Sequence, residues 1–502
     1  MLSGAMSASR RSFFKRAGCL ATTAAVGFPA VVRSAAEQSA APGALPRHII
    51  HMVSDGTSSG TLTLADHFSR LQRGRGLRWL ELYRRPEAAP ALVNMRSLNS
   101  LVTDSSAASS SWGSGSRVVN GVLNQLPDGR DLLPLCSLFD ELGWKRGLVT
   151  TTEITHATPA GFATNASSRG SSDDLAQQYL ERRIDVLLGG GRQFFDPTKR
   201  KDKRDLHAAF RTVGYTVMNK AAELDAAPAS GRWLGTFAAS HLPFTVDHLA
   251  DRDLQTKVPT LARMTERALD RLGREDHFLL QVEGGRVDHG AHACDIVAAV
   301  RDAVAFDEAI EAVLEFQRRT PGTLLVITTD HGTGNPGLNG TGSAYKESSP
   351  MFANTLKAHR SFEHMEADLK KATTVASLQK LLRDGTGYKA PEAKLVQLLP
   401  FIEKKGYTLY DQLNSVSAQL GQLMGNHYGV GWSSGSHTAD YVPLVAVGPG
   451  AERFRGFIQN TDVFRHYLDL ARIDYRNPEV PLLSATETGP SAAVAEGLER
   501  LA

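Results

Sequence analysis

Residues 278–295, FLLQVEGGRVDHGAHACD, run from an apolar segment of strand length straight into a glutamate, two glycines, an aspartate and two histidines. Phe278 to Val282 reads as a strand buried on both faces. Glu283 then stands at the strand's carboxyl end, Gly284 and Gly285 allow a sharp turn, and Asp288 and His292, four apart, share a face if the chain continues as a helix. That spacing suits a surface ion pair as well as a metal chelate.

Similar runs recur: HIIHMV at 48–53, RGLVTTT at 146–152, DVLLGGG at 185–191, TLLVITT at 323–329 and VPLVAVG at 442–448. Helical patterns separate them. PTLARMTERALDRLG places Pro259 in a first turn and stops near Gly273, and an apolar stripe runs from Ile296 to Phe316. The expectation is an α/β fold, three layers α/β/α around a largely parallel central sheet. The carboxyl ends of such strands form one edge at which ligands bind. Asp55 follows the first run, His156 and Thr158 the second, and Asp330 and His331 the run at 323–329. Taken singly, Asp55 reads as a turn, and Asp330 with His331 as a turn and a helix cap. Together they are carboxylates and imidazoles, which suit zinc, and carboxylates with a threonine hydroxyl, which suit a hard cation such as magnesium.

The chain has 502 residues, 42% of them hydrophobic, and a formal charge of +3. Residues 1–36 hold Arg10, Arg11, Lys15, Arg16 and Arg33 without an acid, so the remainder has 51 bases against 53 acids. That balance argues against a broad basic surface for nucleic acid. SRRSFFKRAGCLATTAAVGFPAVVRSAA, residues 9–36, resembles a twin-arginine export signal cleaved near Ala35 or Ala36, followed by a linker at 37–47. The expected destination is the periplasm or the exterior. No later run reaches the roughly 18 apolar residues of a membrane span. Beyond the signal only Cys136 and Cys294 remain, too few for a disulfide framework.

LVTDSSAASSSWGSGSRVVNG, residues 101–121, has the composition of a flexible serine-rich loop. Asp104, however, can cap a helix, and the Ser/Ala run reaches Trp112 without Pro or Gly. A helix starting there would aim free N–H groups and its positive dipole end at Ser105, favouring an alkoxide or an incoming anion.

VTDSSAASSSW, THATPAGFATNASSR, DVLLGGGR, QVEGGRVDHGAH, TTDHG and SGSHT occur in the order and local spacing of the alkaline phosphatase family, across roughly residues 48–335 and 430–470. The resemblance implies that fold, with inserted cap or crown segments, and a phosphate monoester hydrolase with two zinc ions and one magnesium. By the same resemblance Ser105 becomes phosphoserine and Arg169 binds two phosphate oxygens. Asp55, Asp330 and His331 hold one zinc, and Asp288, His292 and His437 the other. Asp55 bridges to magnesium, completed by Thr158 and Glu283. The alcohol half of the substrate needs few contacts, so broad specificity toward small phosphate monoesters is expected.

Two positions depart from some relatives. His156 stands where they have aspartate, and His289 where they have lysine, which implies a weaker hold on phosphate. Ser106 is a second candidate nucleophile, but Ser105 directly follows Asp104 as the family pattern requires. The core is expected at 48–335 and 431–490, with a tail at 491–502. Residues 336–430 read as an inserted helical cap over the site or a contact in a homodimer, with His364 and His427 as surface groups. Residues 196–250 read as an irregular insertion. Rival functions are a phosphodiesterase, sulfatase or cofactor-independent phosphoglycerate mutase on a similar sheet, and a non-catalytic protein that captures metal and phosphate. No cysteine has the CxPxR setting of a sulfatase.

Overall fold

The computed structural model describes residues 45–483. The twin-arginine segment, positions 37–44 of the linker and the tail at 491–502 lie outside the described residues. Ten strands form one sheet: β1 His48–Val53, β2 Ala89–Asn94, β3 Lys145–Glu153, β4 Val186–Gly190, β5 Tyr215–Met218, β6 Arg232–Thr236, β7 Phe278–Glu283, β8 Thr323–Thr328, β9 Val442–Val447 and β10 Gly456–Gln459. Their spatial order is β10-β2-β9-β8-β1-β7-β3-β4-β6-β5, and every neighbouring pair from β8 to β5 is parallel.

One strand of the largely parallel sheet runs against the rest, and two sequence expectations are corrected. VPLVAVG, now β9, runs antiparallel to β8 and β2. It follows a segment held at the carboxyl edge of the sheet rather than a helical crossover, so it can only run back toward the opposite edge. Residues 196–250 are not irregular: they supply β5 and β6, which extend the sheet beyond β4. The helix after Pro259 begins at Leu261, with Thr260 as the cap that accepts from the Arg263 N–H at 3.1 Å; Pro259 lies one residue outside.

Helices cover both faces. On one side Ile50, Met52, Leu325 and Ile327 pack against α1 Ser59–Arg73, and on the other Ile49, Val53, Leu324 and Val326 face α2 Ser105–Ser114 and α3 Ala157–Ala163. Further along the chain, among other helices, lie α4 Leu261–Leu272, α5 Arg286–His292, α6 Ile296–Arg319, α7 Phe362–Leu369 and α8 Asn460–Ala471. Helices α4 and α6 share the first face, and α8 the second. Alternation of apolar residues across one strand is the period-two signature of a sheet buried on both sides. The helical insertion has no core of its own: Leu378, Leu395 and Leu420 belong to the same apolar cluster as α6. Among the described residues no helix is long and apolar enough to cross a membrane, and Cys136 and Cys294 are free and buried.

Asp302 on α6 is buried, accepts from the Thr245 N–H at 3.0 Å and its hydroxyl at 3.1 Å, and is pushed up to about 7 by burial. A carboxyl whose pKa is higher folded than unfolded contributes stability that is complete below the unfolded value of 3.8 and is lost as pH rises through about 7. Asp302→Asn removes the ionisation. Thermal midpoints of wild type minus variant should therefore fall between pH 4 and pH 8, each pKa unit being worth about 1.4 kcal/mol. Parallel pH profiles would refute this.

Candidate active site

Four adjacent strands, β8, β1, β7 and β3, deliver their carboxyl ends to one place. Asp55 follows β1, Glu283 closes β7, Asp330 and His331 follow β8, and His156 and Thr158 follow β3. Helix α5 supplies Asp288 and His292. His437 arrives from far along the sequence through a two-residue antiparallel ladder, His437 opposite Thr333 and Thr438 opposite Gly332, immediately after His331. Gly56 makes this convergence possible: its φ is +70°, its N–H donates to Asp330 Oδ1 at 3.0 Å, and a Cβ there would lie 2.5 Å from Asp288 Oδ1.

Three groups of ligand atoms result: Asp55, Asp330 and His331; Asp288, His331 and His437; and Asp55, His156 and Glu283, each within 4.8 Å. In the first, His331 Nε2 is 3.2 Å from Asp330 Oδ2 and 3.6 Å from Asp55 Oδ1. Those two oxygens are buried without a hydrogen-bond partner, which costs about 1–3 kcal/mol each unless something else meets them. Burial, followed by the charges of Asp330, Asp288 and Glu283, holds the Asp55 carboxyl well above the usual range.

Beside the second group, His292 Nε2 is 3.3 Å from Asp288 Oδ2 and 3.0 Å from His437 Nε2. His292 Nδ1 is bonded to the Gly435 carbonyl at 2.7 Å and His437 Nδ1 to the Thr103 carbonyl at 2.9 Å. A carbonyl only accepts, so each Nδ1 carries a proton, and in the neutral rings that a metal would bind the two Nε2 lone pairs face each other. Such a pair needs a cation, and a ring nitrogen fixed through the other by a carbonyl is the usual support of a metal-binding histidine. In the third group His156 Nδ1 is 3.1 Å from Glu283 Oε1 and 3.9 Å from Asp55 Oδ2, and the Thr158 hydroxyl donates to Asp55 Oδ2 at 3.4 Å. The donor sets of the first two groups fit a cation; in the third, Arg169 donates to His156 Nε2, so the His156 proton sits on Nδ1 facing Glu283, and the donors left for a hard cation are the oxygens of Asp55, Glu283 and Thr158.

Ser105 begins α2 and is buried; its Oγ lies 3.2 Å from His331 Nε2. Ser106 donates instead to Asp104 Oδ2 at 2.6 Å. Asp104 also caps α2 through the Ala107 N–H at 2.9 Å and accepts from Arg169 Nη1 at 3.1 Å, while Arg169 Nη2 is 3.1 Å from His156 Nε2. One aspartate thus fixes both the helix start and the guanidinium. The small residues of α2 permit close packing: a Cβ at Gly113 would lie 1.9 Å from the Gly161 carbonyl oxygen of α3.

The ten catalytic and ligand candidates and His156 therefore meet at one edge, and His289 lies beside them, its ring 5.8 Å from that of His156. His364 and His427 are in none of the three groups: His364 is half-exposed, with Nδ1 3.9 Å from Asp247, and His427 stacks on Tyr388 at 4.5 Å. Sequence reasoning missed Thr150 and Thr152, whose hydroxyls both donate to Glu283 Oε2, that from Thr152 at 3.1 Å. Their signal was present, two hydroxyls a period of two apart at a strand's carboxyl end. It also missed Thr333, which donates to Asp288 Oδ1 at 2.6 Å, and His241.

A buried, serine-bearing helix start beside an arginine and cation-demanding clusters defines a metal-dependent hydrolase of the α/β class. The alkaline phosphatase family model matches residues 46–473. Alkaline phosphatase 4 of Bacillus subtilis is 31% identical over 368 residues, 72% of this chain and 75% of its own. The crystal structure of Thermus thermophilus alkaline phosphatase is 35% identical, with a TM-score of 0.81, 95% of this chain covered and 100% of that one. A cold-active alkaline phosphatase from Shewanella sp. is 26% identical with a TM-score of 0.70, covering 84% and 99%. The chain belongs to the alkaline phosphatase family and is a phosphoric monoester hydrolase.

Without cations, Asp55 stands among the charges of Asp330, Asp288 and Glu283. Protein stripped with EDTA should unfold several degrees below the same protein resupplied with zinc and magnesium. Stripped Asp55→Asn should unfold above stripped wild type, because it loses a like charge. Midpoints indifferent to stripping would contradict the cation sites.

Proposed function

We propose that this chain is an exported alkaline phosphatase that hydrolyses phosphate monoesters through a phosphoserine on Ser105, with two zinc ions and one magnesium. The approach of Ser105 Oγ to His331 Nε2, 3.2 Å, carries the reading, because it sets a hydroxyl at the first cation cluster. Asp55, Asp330 and His331 would hold one zinc, Asp288, His292 and His437 the second, and Asp55, Thr158 and Glu283 the magnesium, with His156 alongside. When bound, these cations supply Lewis acidity to the attacking and leaving oxygens and offset charge on the phosphoryl group.

Arg169 presents a planar fork to two phosphoryl oxygens, and Asp104 keeps it aimed. The start of α2 adds N–H groups and the positive end of a helix dipole where the anion settles. Ser105 Oγ bonds to phosphorus as the ester P–O bond breaks, and the proton lost by the hydroxyl leaves with the alcohol. Water then attacks the phosphoserine, releasing inorganic phosphate and restoring the hydroxyl. Export is supported by Arg10 and Arg11 ahead of a short apolar stretch.

Ser105→Ala should lower kcat for an aryl phosphate by roughly 10³-fold, whereas Ser106→Ala should stay within about tenfold, since that hydroxyl engages Asp104. Wild type should turn over the aryl phosphate far faster than the bis-aryl diester or the sulfate. A Ser105→Ala enzyme of normal rate, or phosphoserine trapped on Ser106, would overturn the assignment. Replacing His156 by Asp and His289 by Lys restores a carboxylate beside magnesium and a fixed charge beside phosphate. The double variant should be inhibited several-fold more strongly by inorganic phosphate, and an unchanged inhibition constant would count against the roles given to both histidines.

A further inference from the structure

Beyond Arg169 and His156, His289 at the edge of the phosphate pocket is paired with a second imidazole, His241, to which the reaction gives no role. His241 lies in the loop after β6, and His289 on α5; their ring centroids are 4.4 Å apart at an interplanar angle of 70°. Both also meet His156 edge on, at 6.2 Å and 5.8 Å. His241 Nδ1 accepts from the Glu153 backbone N–H at 3.1 Å, and His289 Nδ1 accepts from Arg286 Nη1 at 2.6 Å. An amide N–H and a guanidinium can only donate, so each Nδ1 keeps its lone pair and each ring carries its proton on Nε2. Neither Nε2 has a hydrogen-bond partner among the described residues, and neither is among the buried atoms left without one. Glu153, whose amide holds His241, accepts from Ser240 and Gln193, and Glu363 accepts from Arg286. What remains is a pair of N–H donors with no acceptor, one imidazole away from the guanidinium that clamps phosphate.

We propose that His241 and His289 form a second oxyanion subsite that receives an acidic group carried by the alcohol half of the ester. The subsite rests on the phosphomonoesterase reading of Ser105 and Arg169, and it narrows the broad specificity that the sequence suggests. A phosphorylated hydroxy acid has the required form, its carboxylate a few bonds from phosphorus. Two N–H donors on a carboxylate are charge-assisted hydrogen bonds in a partly buried wall.

The test compares 2-phosphoglycerate with glycerol 2-phosphate, which differ by a carboxylate in place of a hydroxymethyl group. In wild type the KM for 2-phosphoglycerate should be lower by about tenfold, the effect of one good charge-assisted hydrogen bond. His241→Phe keeps a ring and loses the N–H, so the ratio should fall toward unity. His241→Gln keeps a donor and should retain most of it. Equal KM values in wild type, or an unchanged ratio in His241→Phe, would overturn the subsite. Calorimetric titration of both esters into metal-loaded Ser105→Ala, with and without His241→Phe, reads the same difference as Kd without turnover. Failure to hydrolyse either ester while that calorimetric difference persists would count against the proposed function and in favour of the subsite.

Discussion

Asp55, Glu283, Asp288 and Asp330 are buried at one edge of the sheet, where Asp55 faces the charges of the other three. Ligand oxygens of Asp55 and Asp330 lie within 4.8 Å of each other. At an effective dielectric of about 20, two such charges oppose each other by roughly 3 kcal/mol. Protonating Asp55 would relieve the pair, and so would a cation. The arrangement of the histidines favours the cation: with both Nδ1 protons committed to carbonyls, the neutral His292 and His437 rings turn their Nε2 atoms toward each other at 3.0 Å. Carboxylates and imidazoles each lack something that a divalent ion supplies to both.

Holding such a cluster requires a scaffold that does not yield. Seven parallel strands supply it, and the four that carry ligands are adjacent in space though dispersed in sequence. Three of the carboxylates are also held from behind. Thr150 and Thr152 fix Glu283, Thr333 fixes Asp288, and the Gly56 N–H fixes Asp330. A hydroxyl or amide that donates to one carboxylate oxygen leaves the other directed at the cation, which is how outer groups orient metal ligands. The same economy operates at Asp104, where one carboxylate serves the helix start, Ser106 and Arg169.

The strands with continuous apolar runs were legible because burial on both faces leaves no room for polar residues: HIIHMV and FLLQV fall within β1 and β7. APALVN was not, because Pro90 and the half-exposed pattern of β2 resemble a loop, and the four-residue β5 and β10 are too short to show a period. The ligands after β1, β7 and β8 could be read as strand-end groups from the sequence. His437 could be placed only by resemblance, since its position depends on the two-residue ladder with Gly332 and Thr333, which has no local signature. His241 escaped for a related reason. It lies in an aperiodic loop, and its relation to His289 exists only once β6 has been added to the sheet.

The excursion between His331 and His437 is tied into the site as well as returning the chain to it. Buried Asp247 and Asp295 accept the backbone N–H groups of Ser361 and Phe362, fastening the start of α7 to the core. From that turn Glu363 accepts from Arg286 Nη2 at 2.6 Å. The Arg286 guanidinium lies 3.7 Å over the Phe244 ring and donates through Nη1 to His289. Buried as it is, Arg286 depends on these partners, because an unpaired charge there would be strongly destabilising. The insertion therefore supplies the counter-charge for the residue that sets which His289 nitrogen carries the proton. A segment outside the sheet thus reaches the proposed subsite, so sequence changes in this excursion are expected to alter that subsite while the proposed metal ligands stay fixed.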